Sequence, residues 1–236
     1  MALNDRLAPN NDLIHGRTAF GFDGTNTAPL KVNISSSLGI LSTEPVKTIQ
    51  TELFAAASVA ASTQAISSTL SVASVKQATF FIFHGRSGSA AFGTNGTEYR
   101  IEGSAVSAGN DSWLPLASVL ASSAVAATLA SSGTHNAGTT VITILSGTAA
   151  VANSLYLFQT GTLEWMRSVS VSGTASLTIL DGLTNAHAAG TISAEAELFP
   201  LSLNLESVTR VRAVINNNAS GTTQAIAARI ACITEQ

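Results

Sequence analysis

Short runs of apolar and β-branched residues, each stopped by Gly, Asn or Asp-Gly, fill the stretch from Thr134 to Ile192. The runs are Thr134–Leu145, Leu155-Tyr-Leu-Phe158, Thr162–Ser172 and Ala175–Leu180. This is strand–turn–strand punctuation. Several strands packed into so few residues predict a small barrel-like unit, because closure removes exposed sheet edges.

The same period of two recurs on both sides. Ala78-Thr-Phe-Phe-Ile-Phe-His84 is apolar on both faces and predicts a central strand. Thr97–Gly103 alternates polar and apolar residues, as a half-buried strand does. Residues 51–76 are rich in Ala, which favours helix. Ile66, Leu70, Val72 and Val75 nevertheless lack helical spacing, so two strands with a turn near Ser62-Thr-Gln64 are expected. Ala117–Ala130 reads as a short helix or a linking strand. Leu198–Leu205, Val208–Ile215 (with room for a bulge) and Ala225–Ile233 read as further strands, the last two separated by the loop Asn216–Gly221.

Residues 1–50 break this rhythm. Ala8-Pro-Asn-Asn-Asp12, Asp23-Gly-Thr-Asn26, Ala28-Pro29 and Glu44-Pro45 leave only Thr18–Phe22 and Leu30–Ile34 as strand candidates. Such a segment buries no core of its own. The expected architecture is all-β: a jelly-roll-like β-sandwich from 51–133 and 194–236, a small barrel-like unit inserted at 134–193, and an extended N-terminal arm over 1–50. Two domains in series are the alternative.

Composition sharpens the picture. Hydrophobic residues make up 45% of the 236, which excludes wholesale disorder, yet only 11% are charged. No Asp, Glu, Lys or Arg occurs between Ser112 and Leu163. A monomer relies on surface charge for solubility, so burial against copies of itself or other subunits is expected. With net charge −3 and no Lys after Lys76, there is no basic stripe for nucleic acid. The single Cys232 allows no internal disulfide and reads as a small core residue. The sequence has no run of 18 apolar residues, so no transmembrane helix or membrane partner is expected. The opening Met-Ala-Leu-Asn-Asp-Arg lacks the signal-peptide pattern, so synthesis in a cytoplasm without export is expected.

Candidate chemistry is sparse. Gly85-Arg-Ser-Gly-Ser89 has Ser89 where a nucleophile elbow needs Gly. His15, His84, His135 and His187 show no metal-ligand spacing. His84 reads as a hydrogen-bonded edge residue, and His187 as a loop residue able to cap backbone carbonyls. Glu98 and Glu102 stand roughly 13 Å apart along one strand face with Arg100 between, too far for a glycosidase pair. Glu195 and Glu197 are close enough but form only a weak signal. Glu164 and Met166 should face one side of their strand, Trp165 and Arg167 the other, with the two charges framing a core Trp in solvent. A stack of Arg167 on Trp165, or an Arg167 contact to another subunit, is the alternative. Asp23-Gly-Thr-Asn26 lacks the later ligands of a calcium loop and reads as an Asx turn. No catalytic, cofactor-binding or metal residue is therefore assigned, and no cofactor or enzyme activity is expected.

Two stretches carry a resemblance. Gly21-Phe-Asp-Gly-Thr-Asn-Thr-Ala-Pro-Leu-Lys-Val-Asn33 followed by Leu38-Gly-Ile40 is similar to a module near the start of many tailed-bacteriophage virion proteins. Ala137–Thr143, Glu164–Gly173 and Leu180–Gly190 resemble a small β unit that recurs in phage particle proteins. The resemblance implies a virion structural component of head-decoration, neck or tail type, and residence in the virion after synthesis in the host cytoplasm. Its partners would be itself, as a homo-oligomer with a trimer the first expectation, and other virion proteins through the N-terminal arm. A β-rich adhesin or receptor- or glycan-binding module is the runner-up.

Overall fold

The structure is a computed structural model that describes residues 48–87, 96–109, 112–121, 128–145, 150–159, 161–172, 176–217 and 225–235. The arm expected over 1–50 lies, apart from its last three residues, outside the described residues. So do His15 and Asp23–Asn26.

Two antiparallel sheets face each other as a sandwich. One contains β1 (Thr48–Val59), β14 (Ala225–Glu235), β4 (Gln77–Ser87) and the C-terminal half of β12 (Thr191–Asn204), in that order. The other contains β2 (Thr63–Ile66), β13 (Arg210–Asn217), β5 (Thr97–Ser104) and β6 (Leu114–Ala121). The short β3 (Leu70–Ser71) pairs with β13 beyond β2, so β2 and β3 act as one broken edge strand. Counting β2 and β3 together, the strand orders are first-eighth-third-sixth and second-seventh-fourth-fifth. That is the order of a jelly roll.

Alternation places the core. Ala78, Phe80 and Ile82 of β4 meet Ile226, Ala228, Ile230 and Cys232 of β14 across from Tyr99, Ile101, Val211, Ala213 and Ile215. All are buried, and complete burial of side chains such as Phe80 or Ile82 contributes about 2–3 kcal/mol each. The turn near Ser62 is present, with Ser62 at a φ of 54°. Pro200 sits inside a long strand, which looks unfavourable for the ladder. It is tolerated because β12 pairs only with β4 from Glu197 onward, its pairing with β9 (Leu155–Phe158) having ended at Ala196.

The segment between β6 and β12 forms the small barrel. Its strands are β7 (Thr128–Ala130), β8 (Val141–Thr143), β9, β10 (Glu164–Ser172), β11 (Ser176–Ile179) and the N-terminal half of β12. Pairing runs β12-β9-β10-β11-β8, and β7 pairs with the free side of β12. The bridge Ser131↔Ile144, flanked by Ser132 N–H to Thr143 C=O at 3.0 Å and Leu145 N–H to Ala130 C=O at 2.8 Å, joins β7 to β8 and closes the ring. Leu129, Ile142, Ile144, Tyr156, Phe158, Met166, Leu177, Ile179, Leu183 and Ile192 fill it. Side chains therefore occupy the interior, as expected for a barrel of this size.

Barrel and sandwich share β12, which passes through both without a break. They also share a third, smaller apolar contact in which Leu157, Ala196 and Ala227 meet beside Leu155, Leu163 and Trp165. Gly85 permits this approach, since a Cβ there would lie 2.6 Å from Leu157 Cδ2.

Two readings need correction. His84 is no edge residue: β4 is flanked by β14 and β12, and His84 is buried with Nδ1 2.7 Å from Tyr99 Oη. Residues 208–217 contain no bulge; β13 pairs with β5 in unbroken register from Arg210 to Asn217. Irregular register occurs instead in β1, between Glu52 and Phe54 and between Phe54 and Ala57, in β10 between Ser168 and Ser170, in β12 between Ser193 and Ala196, and in β5 between Ile101 and Glu102.

A candidate ligand cleft between barrel and sandwich

Glu164 opens β10 and reaches the loop that follows β11. Its Oε1 accepts the Thr184 N–H at 2.6 Å. Its Oε2 accepts the Asn185 N–H at 3.0 Å and Asn185 Nδ2 at 3.1 Å, and lies 3.0 Å from His187 Nε2. Burial pushes this carboxyl's pKa up, but the hydrogen bonds from His187, Thr184 and Asn185 outweigh it and hold the group below the ordinary value. Glu164 is thus an ionised clamp with its lone pairs engaged, not a solvated charge paired with Arg167. Arg167 is exposed and makes no ion pair among the described residues.

His187 completes the clamp. It exchanges two backbone hydrogen bonds of 2.8 Å with His135, and its ring stacks on Phe158 with centroids 4.3 Å apart. The loop is tied further by Gly138 N–H to Leu183 C=O at 2.7 Å and Leu183 N–H to Thr139 C=O at 3.0 Å.

On the other face of β10, Trp165 packs on Phe83 of β4, centroids 5.7 Å apart. Its indole N–H donates to the His84 carbonyl at 3.4 Å. Arg229 of β14 lies 5.3 Å over the Phe83 ring and makes a bidentate pair with Glu52 of β1, at 2.5 and 3.0 Å. The hydrogen-bonded Glu52 raises the guanidinium pKa above its ordinary value. These groups surround a cleft of about 300 Å³ lined by Glu52, Ala55, Ala56, Leu163, Glu164, Trp165, Thr184, Asn185 and Arg229.

Sequence reading singled out Glu164, Trp165 and His187, and the structure brings Glu164 and Trp165 into this cleft with His187 behind. It missed Glu52 and Arg229, which pair across 177 residues. Their only local signal is that each is a charge set among apolar neighbours in its strand. The remaining candidates lie elsewhere. Glu98, Arg100 and Glu102 form a ladder on β5 that extends to Arg212 of β13, with Arg100 and Arg212 both on Glu102. Glu197 lies on β12 facing His84 in register. Gly88 and Ser89 of the elbow-like motif and the side chain of Glu195 lie outside the described residues. Among the described residues no three His, Cys, Asp or Glu are grouped to hold a metal ion.

Fold and cleft together define an all-β jelly roll carrying an inserted barrel, with a mixed polar–aromatic recess where the two meet. No protein-family model, curated protein or solved structure matches the chain.

Proposed function

We propose that the chain is a structural subunit of a bacteriophage particle, a capsid decoration, neck or tail protein that acts by self-association and docking to a subunit lattice. The observation that carries the reading is the edge formed by β6. This strand, Leu-Pro-Leu-Ala-Ser-Val-Leu-Ala, has no charged residue and, among the described residues, pairs with β5 on one side only. Leu116 and Val119 pack on the core, while Leu114 and Leu120 are 68% and 66% exposed. A bare apolar edge is a template for another strand, and soluble monomers ordinarily protect such edges with charge. Val141, Leu145 and Leu180 add exposed apolar surface on the barrel. The phage-like stretches in the sequence supply the particle context. The jelly-roll order serves viral capsid and lectin domains alike, so it is compatible with the reading without selecting it.

The acceptor edge would take a strand from a neighbouring copy, including its N-terminal arm, by main-chain pairing. Light scattering of the full chain tests this. A homo-oligomer, with a trimer the first expectation, should dissociate in the double variant Leu114→Lys, Leu120→Lys and weaken when residues 1–47 are deleted. A native chain that stays monomeric at all concentrations sinks the proposal.

A further inference from the structure

We propose that the cleft between Trp165 and the Glu52–Arg229 pair is a binding site for a neutral saccharide. The site is separate from the β6 edge and does not depend on the assembly reading.

Three features point there. The first is how the recess is made. The second of the two register shifts in β1, between Phe54 and Ala57, takes in Ala55 and Ala56, so the strand is irregular where it lines the recess beside Trp165. Bulges recur beside functional sites because they redirect side chains. Here the two exposed residues are alanines, and only methyl groups enter the space. A volume of about 300 Å³ is at the lower end for small-molecule sites, the size for one or two sugar rings.

The second is charge. Glu52 and Arg229 neutralise each other, and Glu164 is already met by four donors. A phosphate would face two carboxylates. A cationic ligand would face a guanidinium and carboxylates already engaged. A neutral ligand incurs neither conflict.

The third is the pattern of surfaces. The Trp165 ring, held by Phe83 and by its N–H bond to the His84 carbonyl, offers a fixed apolar wall for the C–H face of a pyranose. The recess is also lined by Thr184, Asn185, Glu52 and Arg229, whose side chains between them carry hydrogen-bond donors and acceptors. Groups able to donate and groups able to accept thus share the recess with an aromatic wall, and a sugar hydroxyl both donates and accepts. The existing pairs hold these groups in place before binding, which lowers the ordering cost.

The test titrates the full chain with neutral mono- and disaccharides of glucose, galactose, mannose, rhamnose and N-acetylglucosamine. Inorganic phosphate and choline serve as charged probes. Saturation-transfer NMR and tryptophan fluorescence provide the readouts. At least one saccharide should bind with a Kd of about 0.1–10 mM. Trp165→Ala should weaken it at least about tenfold, equivalent to about 1.4 kcal/mol. Ala56→Tyr fills the cleft from an exposed position and should weaken binding equally, with the circular-dichroism spectrum and light-scattering mass unchanged. Trp113→Phe, outside the cleft, should bind as the native chain does. Failure of every saccharide to bind up to about 20 mM overturns the proposal. So does undiminished binding in Ala56→Tyr, or binding of only phosphate or choline. None of these results bears on self-association, which is read from mass.

Discussion

The Glu164 carboxylate lies 3.0 Å from His187 Nε2 while its two oxygens also accept the backbone N–H groups of Thr184 and Asn185. One side chain at the start of β10 thereby holds the loop that pairs with His135 and Gly138.

Removing that acceptor leaves several donors unmet. Glu164→Ala should cost about 2–4 kcal/mol in urea unfolding. Amide exchange at Thr184 and Asn185 should accelerate in the native state, while Phe80 and Ile82 keep their protection. The depressed carboxyl pKa makes this contribution complete above the ordinary Glu range, and it is lost as pH falls through the folded value. The acid limb of the stability curve should therefore flatten in Glu164→Ala. An unchanged limb would show that the clamp contributes nothing to acid sensitivity.

His84 gives a second pH effect of the same sign in a higher window. Burial lowers its pKa from 6.5 to about 4. Between those values the unfolded chain binds a proton that the folded chain refuses. Stability should thus fall as pH drops from 6.5 to about 4, by about 3 kcal/mol in all. His135, lowered by burial and then by the charge of His187, acts in the same direction. Urea unfolding between pH 7.5 and 4.5 should show the loss, and His84→Phe should remove most of the slope. An NMR titration in which the His84 ring protonates near 6.5 in the native state would refute the assignment.

The sequence reveals some of this arrangement and hides the rest, for a consistent reason. Ala78–His84, Thr97–Gly103 and Ala225–Ile233 show their strands because apolar spacing is local and each has its own buried face. The turn at Ser62 is equally visible. Thr128–Ala130 is not, because three residues carry too little pattern to distinguish a barrel strand from a connector. Nor does His135 signal that its backbone pairs with His187 rather than continuing a strand into Val141. Glu52 and Arg229 illustrate the limit for the cleft. Pairing of β1 with β14 brings them together, and nothing near either residue encodes that pairing. The β1 bulges likewise depend on register with a distant strand, so the recess could not be foreseen from residues 51–59.

Arg210 organises the loop between β5 and β6. Its Nε donates to the Val106 carbonyl at 2.8 Å, and Nη2 donates to the Gly109 carbonyl and, at 3.3 Å, to Ser112 Oγ. Two guanidinium groups lie over the Trp113 ring, Arg210 4.5 Å and Arg212 4.4 Å from its centroid. A lysine keeps the charge but not the planar fork. Arg210→Lys should therefore cost about 1–3 kcal/mol, and Trp113 emission should shift to longer wavelength as the ring becomes wetter. Full stability in the lysine variant would reduce the stack to a bystander.

Cys232 should be silent toward thiol reagents. It is fully buried in the sandwich core, and burial pushes its thiol up to about 11. Since the thiolate is the reactive form, aromatic disulfide reagents should modify it only as fast as the sandwich opens. The rate should rise with urea in step with unfolding. Rapid modification in buffer would mean that β14 separates from β1 or β4 without global unfolding.

Gly182 and Gly138 provide a paired test of the barrel's loop packing. A Cβ on Gly182 would lie 2.7 Å from the Gly138 carbonyl oxygen and 2.9 Å from its C and Cα. Those atoms are backbone, and the neighbouring bonds Gly138 N–H to Leu183 C=O and Leu183 N–H to Thr139 C=O leave little room for retreat. Gly138 has the opposite problem: a φ of +84°, with open space around its own Cβ position. Gly138→Ala should cost only the left-handed backbone term, about 1 kcal/mol. Gly182→Ala must separate two chain segments and should cost more, about 2–4 kcal/mol, with faster exchange at Leu183. Thermal unfolding of the two variants side by side checks the order. If Gly138→Ala is the more damaging, conformational strain rather than the close approach of these loops governs this end of the barrel.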